Sequence, residues 1–152
     1  LHAESEDLQD LILADARRIY SETVIRHAME PRNLGVMPDA DGFGRLTGSC
    51  GDTMEISIKV KGNTIADAVF MTDGCGPSIA SGSMVTELAR GKSIGEARKI
   101  AQADVLNGLD GLPEESKHCA LLAADTLRAA IADYLLTKRE PWKKAYRGRP
   151  GL

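Results

Sequence analysis

The stretch Met54-Glu55-Ile56-Ser57-Ile58-Lys59-Val60-Lys61-Gly62-Asn63 decides the fold class. Apolar Met54, Ile56, Ile58 and Val60 alternate with polar Glu55, Ser57, Lys59 and Lys61. A period of two places the two sets on opposite faces of a strand, and one polar face predicts a half-buried antiparallel strand. Gly62-Asn63 reads as a hairpin turn, because both residue types tolerate positive φ. A second strand is expected from about Thr64 to Thr72, with a less clean pattern that fits partial cover on both faces. Phe43 to Gly48 supplies a third, joined to Met54–Val60 by a tight connection through Ser49-Cys50-Gly51-Asp52. Sequential hairpins of this kind give a small antiparallel meander.

Helical patterns flank the sheet. Leu8, Leu11, Ile12, Ile19, Val24 and Ile25 recur at near-helical spacing, and Pro31 with Asn33-Leu34-Gly35 stops that segment. A Gly-, Pro- and Asp-rich loop spans about 32–42. After the strands, Ser78 to Arg90 reads as a helix ended by Gly91. Ser93 with Glu96 fits a capping box that opens a short helix reaching about Gln102. Val105 to Leu112 is expected to be mostly loop, and Lys117 to Leu136, rich in Ala and Leu, is the last strong helix. Strands first and helices after is an α+β order. No internal repeat and no low-complexity segment interrupts it.

Composition narrows the class. At 152 residues and 43% hydrophobic the chain suits one domain with an ordinary core, and 4% aromatics makes that core aliphatic. A formal charge of -3 argues against a dedicated nucleic-acid binder. No run approaches the roughly 18 apolar residues of a membrane span, and Leu1–Ser5 has neither a basic nor an apolar signal region, so no signal peptide is expected. The two ends carry opposite charge. Residues 1–16 hold Glu4, Glu6, Asp7, Asp10 and Asp15 with no Lys or Arg. Residues 138–149 hold Lys138, Arg139, Lys143, Lys144, Arg147 and Arg149 against Glu140. Two solvated ends are the plain expectation.

Three cysteines cannot complete a disulfide framework, which fits a reduced, cytoplasmic setting. They lie 25 and 44 residues apart with no CxxC pair, which excludes a zinc ribbon or a thioredoxin motif. Cys50, in Gly48-Ser49-Cys50-Gly51-Asp52, is placed on a sharp turn, and its side chain and that of Asp52 could converge on one ion. Asp52 reads equally well as a turn residue satisfying its own backbone. Cys75, in Gly74-Cys75-Gly76-Pro77-Ser78, falls at a helix start because Pro77 suits the first turn. Cys119 falls in the first turn of the last helix if Ser116 is its N-cap. Helix starts favour thiolate over thiol. A single cysteine is more often a core residue, but three beside glycines and helix starts point to ligands. His118 is open as ligand, proton carrier or hydrogen-bonding neighbour, while His2 and His27 read as solvated or helix-surface residues. Three thiolates with Asp52 and His118 in reserve suit either Zn²⁺ or an iron–sulfur cluster. No catalytic triad, phosphate loop or paired acid/base carboxylates stand out, so an independent enzyme is not expected.

From Tyr20 to about Leu136 the chain resembles the IscU/NifU-type iron–sulfur cluster assembly scaffold proteins. The resemblance rests on Tyr20-Ser21-Glu22 through Pro31-Arg32-Asn33, Cys50-Gly51-Asp52, Gly74-Cys75-Gly76 with Ile79-Ala80-Ser81, Gly91-Lys92-Ser93, and His118-Cys119. It implies an α+β domain, SufE/NifU-like, with a three-stranded antiparallel sheet and helices packed on one side. The division it implies is a helical extension over 1–19, a scaffold domain over 20–137 and a basic tail over 138–152. It implies that Cys50, Asp52, Cys75 and Cys119 hold a nascent [2Fe–2S] cluster built from iron and sulfur, with Asp52 keeping it labile and His118 a further ligand or assistant. Cys119 would accept persulfide sulfur from an IscS/NifS-type cysteine desulfurase, and apo iron–sulfur proteins would receive the cluster. A homodimer bridging the cluster stays open, as does Zn²⁺ in the isolated protein. The stretch Leu112-Pro113-Glu114-Glu115-Ser116 lacks the second Pro, the Val and the Lys of the segment on which the family docks its Hsp70 chaperone. That departure puts this docking in doubt. The competing reading is a zinc-dependent SufU-like sulfur-transfer protein, which would carry an insertion between its second and third cysteines. A third is an interaction module with a structural zinc.

Overall fold

The structure, a computed structural model, describes residues 2–146, with side chains described over 8–145. Its sheet has three strands in the order β1 (Gly42–Thr47), β2 (Thr53–Lys61) and β3 (Thr64–Thr72), antiparallel throughout. The Gly62-Asn63 hairpin forms as expected, with φ of 56° and 68° at the two residues. The helices are α1 (His2–Ile19), α2 (Glu22–Met29), α3 (Gly76–Ala89), α4 (Ile94–Ala97), α5 (Gln102–Gly108) and α6 (Lys117–Arg139).

Four local expectations differ from what forms. The first helical segment is two helices: Ser21 takes extended backbone and its side chain accepts from Val24 N–H at 3.0 Å, capping α2. The capping box at Ser93 is present, yet α4 ends at Ala97, and α5 occupies much of the stretch read as loop. There Asp104 accepts from Ala101 N–H at 2.8 Å and secures the start of α5. In β2, Glu55 and Ser57 are buried along with Met54, Ile56 and Ile58. Their face is opposite the helices, and cover comes from cross-strand neighbours: Arg45 and Met71 flank Glu55, and Phe43 and Val69 flank Ser57. Arg45 pairs with the Glu55 carboxylate there.

The helices pack on the other face, where Met54, Ile56, Ile58, Ala68 and Phe70 meet Val85, Leu127 and Ile131 in one core. α6 lies across β1 and β2, α3 lies against β3 and α6, and α2 covers α3. Two glycines set how closely α6 lies. A Cβ on Gly44 would sit 2.6 Å from the Ala130 nitrogen and 2.7 Å from the Thr126 carbonyl oxygen, and Gly42 faces the same helix. Here backbone packs on backbone.

α3 is buried nearly all round, and its small residues let α2, α5, α6 and β3 close in. Its buried hydroxyls are satisfied within the fold. Ser81 donates to the Pro77 carbonyl at 2.7 Å and Thr86 to the Gly82 carbonyl at 2.8 Å. Ser83 Oγ lies 2.7 Å from His27 Nδ1 and accepts from Arg32 N–H. His27 is therefore a buried residue tying α2 to α3, not the surface residue its sequence suggested. His2, read as solvated, lies outside the described side chains. The free edge of β3 is closed by loops: Phe70 exchanges backbone hydrogen bonds with Asn33 and Gly35, and Ile65 with Gly91 and Lys92. α1 stands apart, leaving Leu8, Leu11, Ile12 and Ile19 exposed. At the other end Lys143 pairs with Glu140 at 2.5 Å, while Arg147 and Arg149 lie outside the described residues.

Two predictions follow from this packing. Gly44→Ala should cost about 1–3 kcal/mol or more, because a methyl there meets helix backbone that cannot rotate away; urea unfolding at equilibrium measures it through the midpoint. The second concerns pH. Burial, then Arg26 and Arg32, hold His27 below its ordinary value of 6.5. The unfolded chain then binds its proton first, so the stability carried by neutral His27 is full above about pH 6.5 and declines as pH falls toward the depressed native value. Unfolding midpoints between pH 7.5 and 5.5 should fall in the parent and flatten in His27→Gln.

Candidate metal centre

One end of the helix layer gathers the residues that the sequence singled out. Cys50 and Asp52 come from the β1–β2 turn. Gly51 takes a φ of 90°, open to glycine at little cost. Gly48 N–H donates to the Asp52 carbonyl at 2.8 Å, and Gly51 N–H to the Gly48 carbonyl at 3.0 Å. The turn thus closes tightly and leaves Cys50 exposed.

Cys75 is the N-cap of α3, with extended backbone and Pro77 in the first turn. Its carbonyl accepts from Ser78 and Ile79 N–H, but its side chain makes no cap hydrogen bond and is exposed. The loop before it is fastened to β2: Asp73 accepts from Thr53 N–H at 2.7 Å, and Thr72 donates to the Thr53 carbonyl at 2.8 Å.

Cys119 is the third residue of α6. Ser116 is the N-cap of that helix, as expected, but its side chain makes no cap hydrogen bond; its backbone is already helical, and a single 3-10 turn over Glu114–Ser116 leads in. A helix entered this way offers fewer bare N–H groups, and its start is packed inside. Cys119 is 5% exposed, and burial pushes its thiol up from the ordinary value, with Cys50, Asp52 and Cys75 adding their charge in the same direction. The direction is opposite to the one expected of a cysteine at a helix start. A hydrogen bond from Ser78 opposes the shift.

One hydroxyl joins Asp52 to Cys119, while Cys50 and Cys75 sit exposed on the adjoining turns. Ser78 Oγ donates to Asp52 Oδ2 at 2.8 Å and lies 3.4 Å from Cys119 Sγ, and His118 Nε2 lies 3.6 Å from the same sulfur. Among the described residues, however, no three His, Cys, Asp or Glu side chains stand close enough to grip an ion as they lie. Two contributors were missed in the sequence. Ser78 was read only as helix, although a hydroxyl three residues beyond Cys75 falls in the same first turn. Gly74 was read only as a flank of Cys75, yet a Cβ there would sit 2.5 Å from Ser78 Oγ and 2.6 Å from Asp52 Oδ2.

Comparison with known proteins agrees with this architecture. The chain is 51% identical over 117 residues to iron–sulfur cluster assembly scaffold protein IscU 1 of Archaeoglobus fulgidus, covering 76% of each. It is 47% identical over 126 residues to the iron–sulfur cluster assembly scaffold protein IscU of Escherichia coli K12, covering 80% of this chain and 97% of that one. In three dimensions it is similar to a putative iron–sulfur cluster assembly scaffold protein for the SUF system from Fervidobacterium islandicum. That match has a TM-score of 0.63 and 27% identity, and covers 76% of this chain and 98% of that one. Residues 19–141 match the NifU-like N-terminal domain, so this chain belongs to that family.

Proposed function

We propose that this chain is a scaffold on which an iron–sulfur cluster is assembled and from which it is passed to apo-proteins. The observation that carries the reading is the Ser78 hydroxyl that joins Asp52 to Cys119, with Cys50 and Cys75 on the adjoining exposed turns, in a fold whose relatives are named as such scaffolds. The cluster is cargo, a [2Fe–2S] unit held by the three thiolates and Asp52, with His118 beside Cys119 as an assisting group. The unit that does this spans 20–137; residues 1–19 are a helical extension and 138–152 a basic tail.

The chemistry follows from the donors. The Cys119 thiolate attacks the outer sulfur of a persulfide on a cysteine desulfurase, and the desulfurase thiolate leaves. The sulfur now carried on Cys119 becomes sulfide when an external reductant supplies two electrons. Iron is soft enough for thiolate and sulfide, and the carboxylate is the weakest ligand of the four. Three firm ligands and one weak one suit a group that must be held and then released. To grip the cargo, Cys50 and Cys75 must swing in from their exposed turns toward Cys119. No helix among the described residues is long and apolar enough to cross a membrane, and we place this work in the reduced cytoplasm, where free thiols persist.

The SufU-like reading, sulfur transfer at a bound Zn²⁺, is the weaker one. Between Cys75 and Cys119 the chain holds only α3, α4, α5 and short links, all packed in the domain.

Anaerobic reconstitution with iron, cysteine and a desulfurase should give the absorption and Mössbauer signature of a [2Fe–2S] cluster, and Cys→Ser at position 50, 75 or 119 should abolish it. Tight zinc without a cluster would instead favour sulfur transfer. Asp52→Ala should still assemble a cluster but lengthen its transfer half-time to apo-ferredoxin; an unchanged half-time would remove Asp52 from the release step.

A further inference from the structure

Ser78 is outside the ligand set, yet its hydroxyl stands at the meeting point of that set. The residue is 1% exposed, and its Oγ reaches Asp52, 26 residues before it, and Cys119, 41 residues after it. A serine at a helix start ordinarily bonds the backbone of its own helix. Ser78 spends its hydroxyl on two other elements instead. It has one proton to give, and its oxygen can also receive one. With the O–H on Asp52, the lone pairs remain for the Cys119 thiol.

Gly74 is an independent sign that this contact is built in. Its φ lies outside the left-handed region, so its backbone does not call for glycine. The side chain it lacks is the one that would fill the space where Ser78 Oγ and Asp52 Oδ2 meet. A missing methyl on one side and a buried hydroxyl on the other thus shape one seat for the Asp52 carboxylate. The turn that carries Asp52 is exposed at Ser49, Cys50 and Gly51, so its backbone alone does not fix that carboxylate.

We propose that Ser78 is the positioning residue for Asp52: by binding Oδ2 it seats the carboxylate beside Cys119 and leaves Oδ1 as the oxygen for a metal. This deepens the scaffold reading and rests on its ligand set. Ligands oriented by a second hydrogen-bonding partner commonly lose about 10–100-fold in metal affinity when that partner is removed. A carboxylate that is present but unseated should then behave much as one that is absent.

The test uses Co²⁺ bound to the full apo-chain, whose visible bands distinguish oxygen from sulfur ligands. Ser78→Ala should weaken Co²⁺ binding about tenfold and shift the bands toward those of Asp52→Ala. The double variant should match Asp52→Ala alone, because a residue acting only through Asp52 adds nothing once Asp52 is gone. Gly74→Ala, which forces a methyl between the two side chains, should reproduce the shift and serves if Ser78→Ala fails to fold. Parental bands and affinity in Ser78→Ala and Gly74→Ala would overturn the proposal, and so would losses that add in the double variant. Asp52→Ala with parental bands would overturn it together with the ligand set. Failure of the parent to form any cluster on reconstitution would sink the scaffold reading alone, since Co²⁺ ligation by these residues is read separately.

Discussion

Everything at the site depends on how closely α6 lies on β1. Helices usually rest on a sheet through a layer of side chains. Here Gly42 and Gly44 remove that layer, and the α6 backbone at Thr126 and Ala130 comes down onto the strand. The depth of α6 fixes the depth of its first turn, and so the burial of Cys119. It also leaves room for α3 to wedge between α6 and β3, which brings Cys75 and Ser78 to the same end. A thicker interface would lift Cys119 away from Asp52 and Ser78.

That depth has an electrostatic consequence. Cys119 is the buried sulfur of the three, and burial favours its thiol over its thiolate. Cys50 and Cys75 lie on exposed turns. The resting site is therefore unequal, with one sheltered sulfur and two accessible ones. On the proposed scaffold reading, the sulfur assigned to carry the persulfide is the covered one. Ser78 opposes burial only when its hydroxyl turns from Asp52 and donates to Cys119 Sγ, 3.4 Å away.

The sheet was legible in the sequence because period-two alternation and Gly62-Asn63 are local signals, and both describe what forms. The helix boundaries that were misread depend on single capping side chains. Ser21 splits one apolar pattern into two helices, and Asp104 secures the start of α5, which then runs into a stretch whose glycines suggested loop. The burial of Glu55 and Ser57 could not be read from β2 alone, because their cover comes from the neighbouring strands. His27 shows the same limit: a histidine on an amphipathic helix looks solvated until the partner element, here Ser83 on α3, is in place. The cysteines stood out because glycine and helix-start context is written beside each of them. Ser78 did not, because its meaning lies in two contacts made across 26 and 41 residues.

Ser78 also shows why the site sits on three elements rather than one. Four ligands on one rigid element would hold cargo at a fixed strength. On the proposed reading, ligands on separate elements, joined through one hydroxyl and one missing methyl, would be drawn together by the cargo they hold. The Ser78 hydroxyl can serve either Asp52 or Cys119, so the link itself has two arrangements.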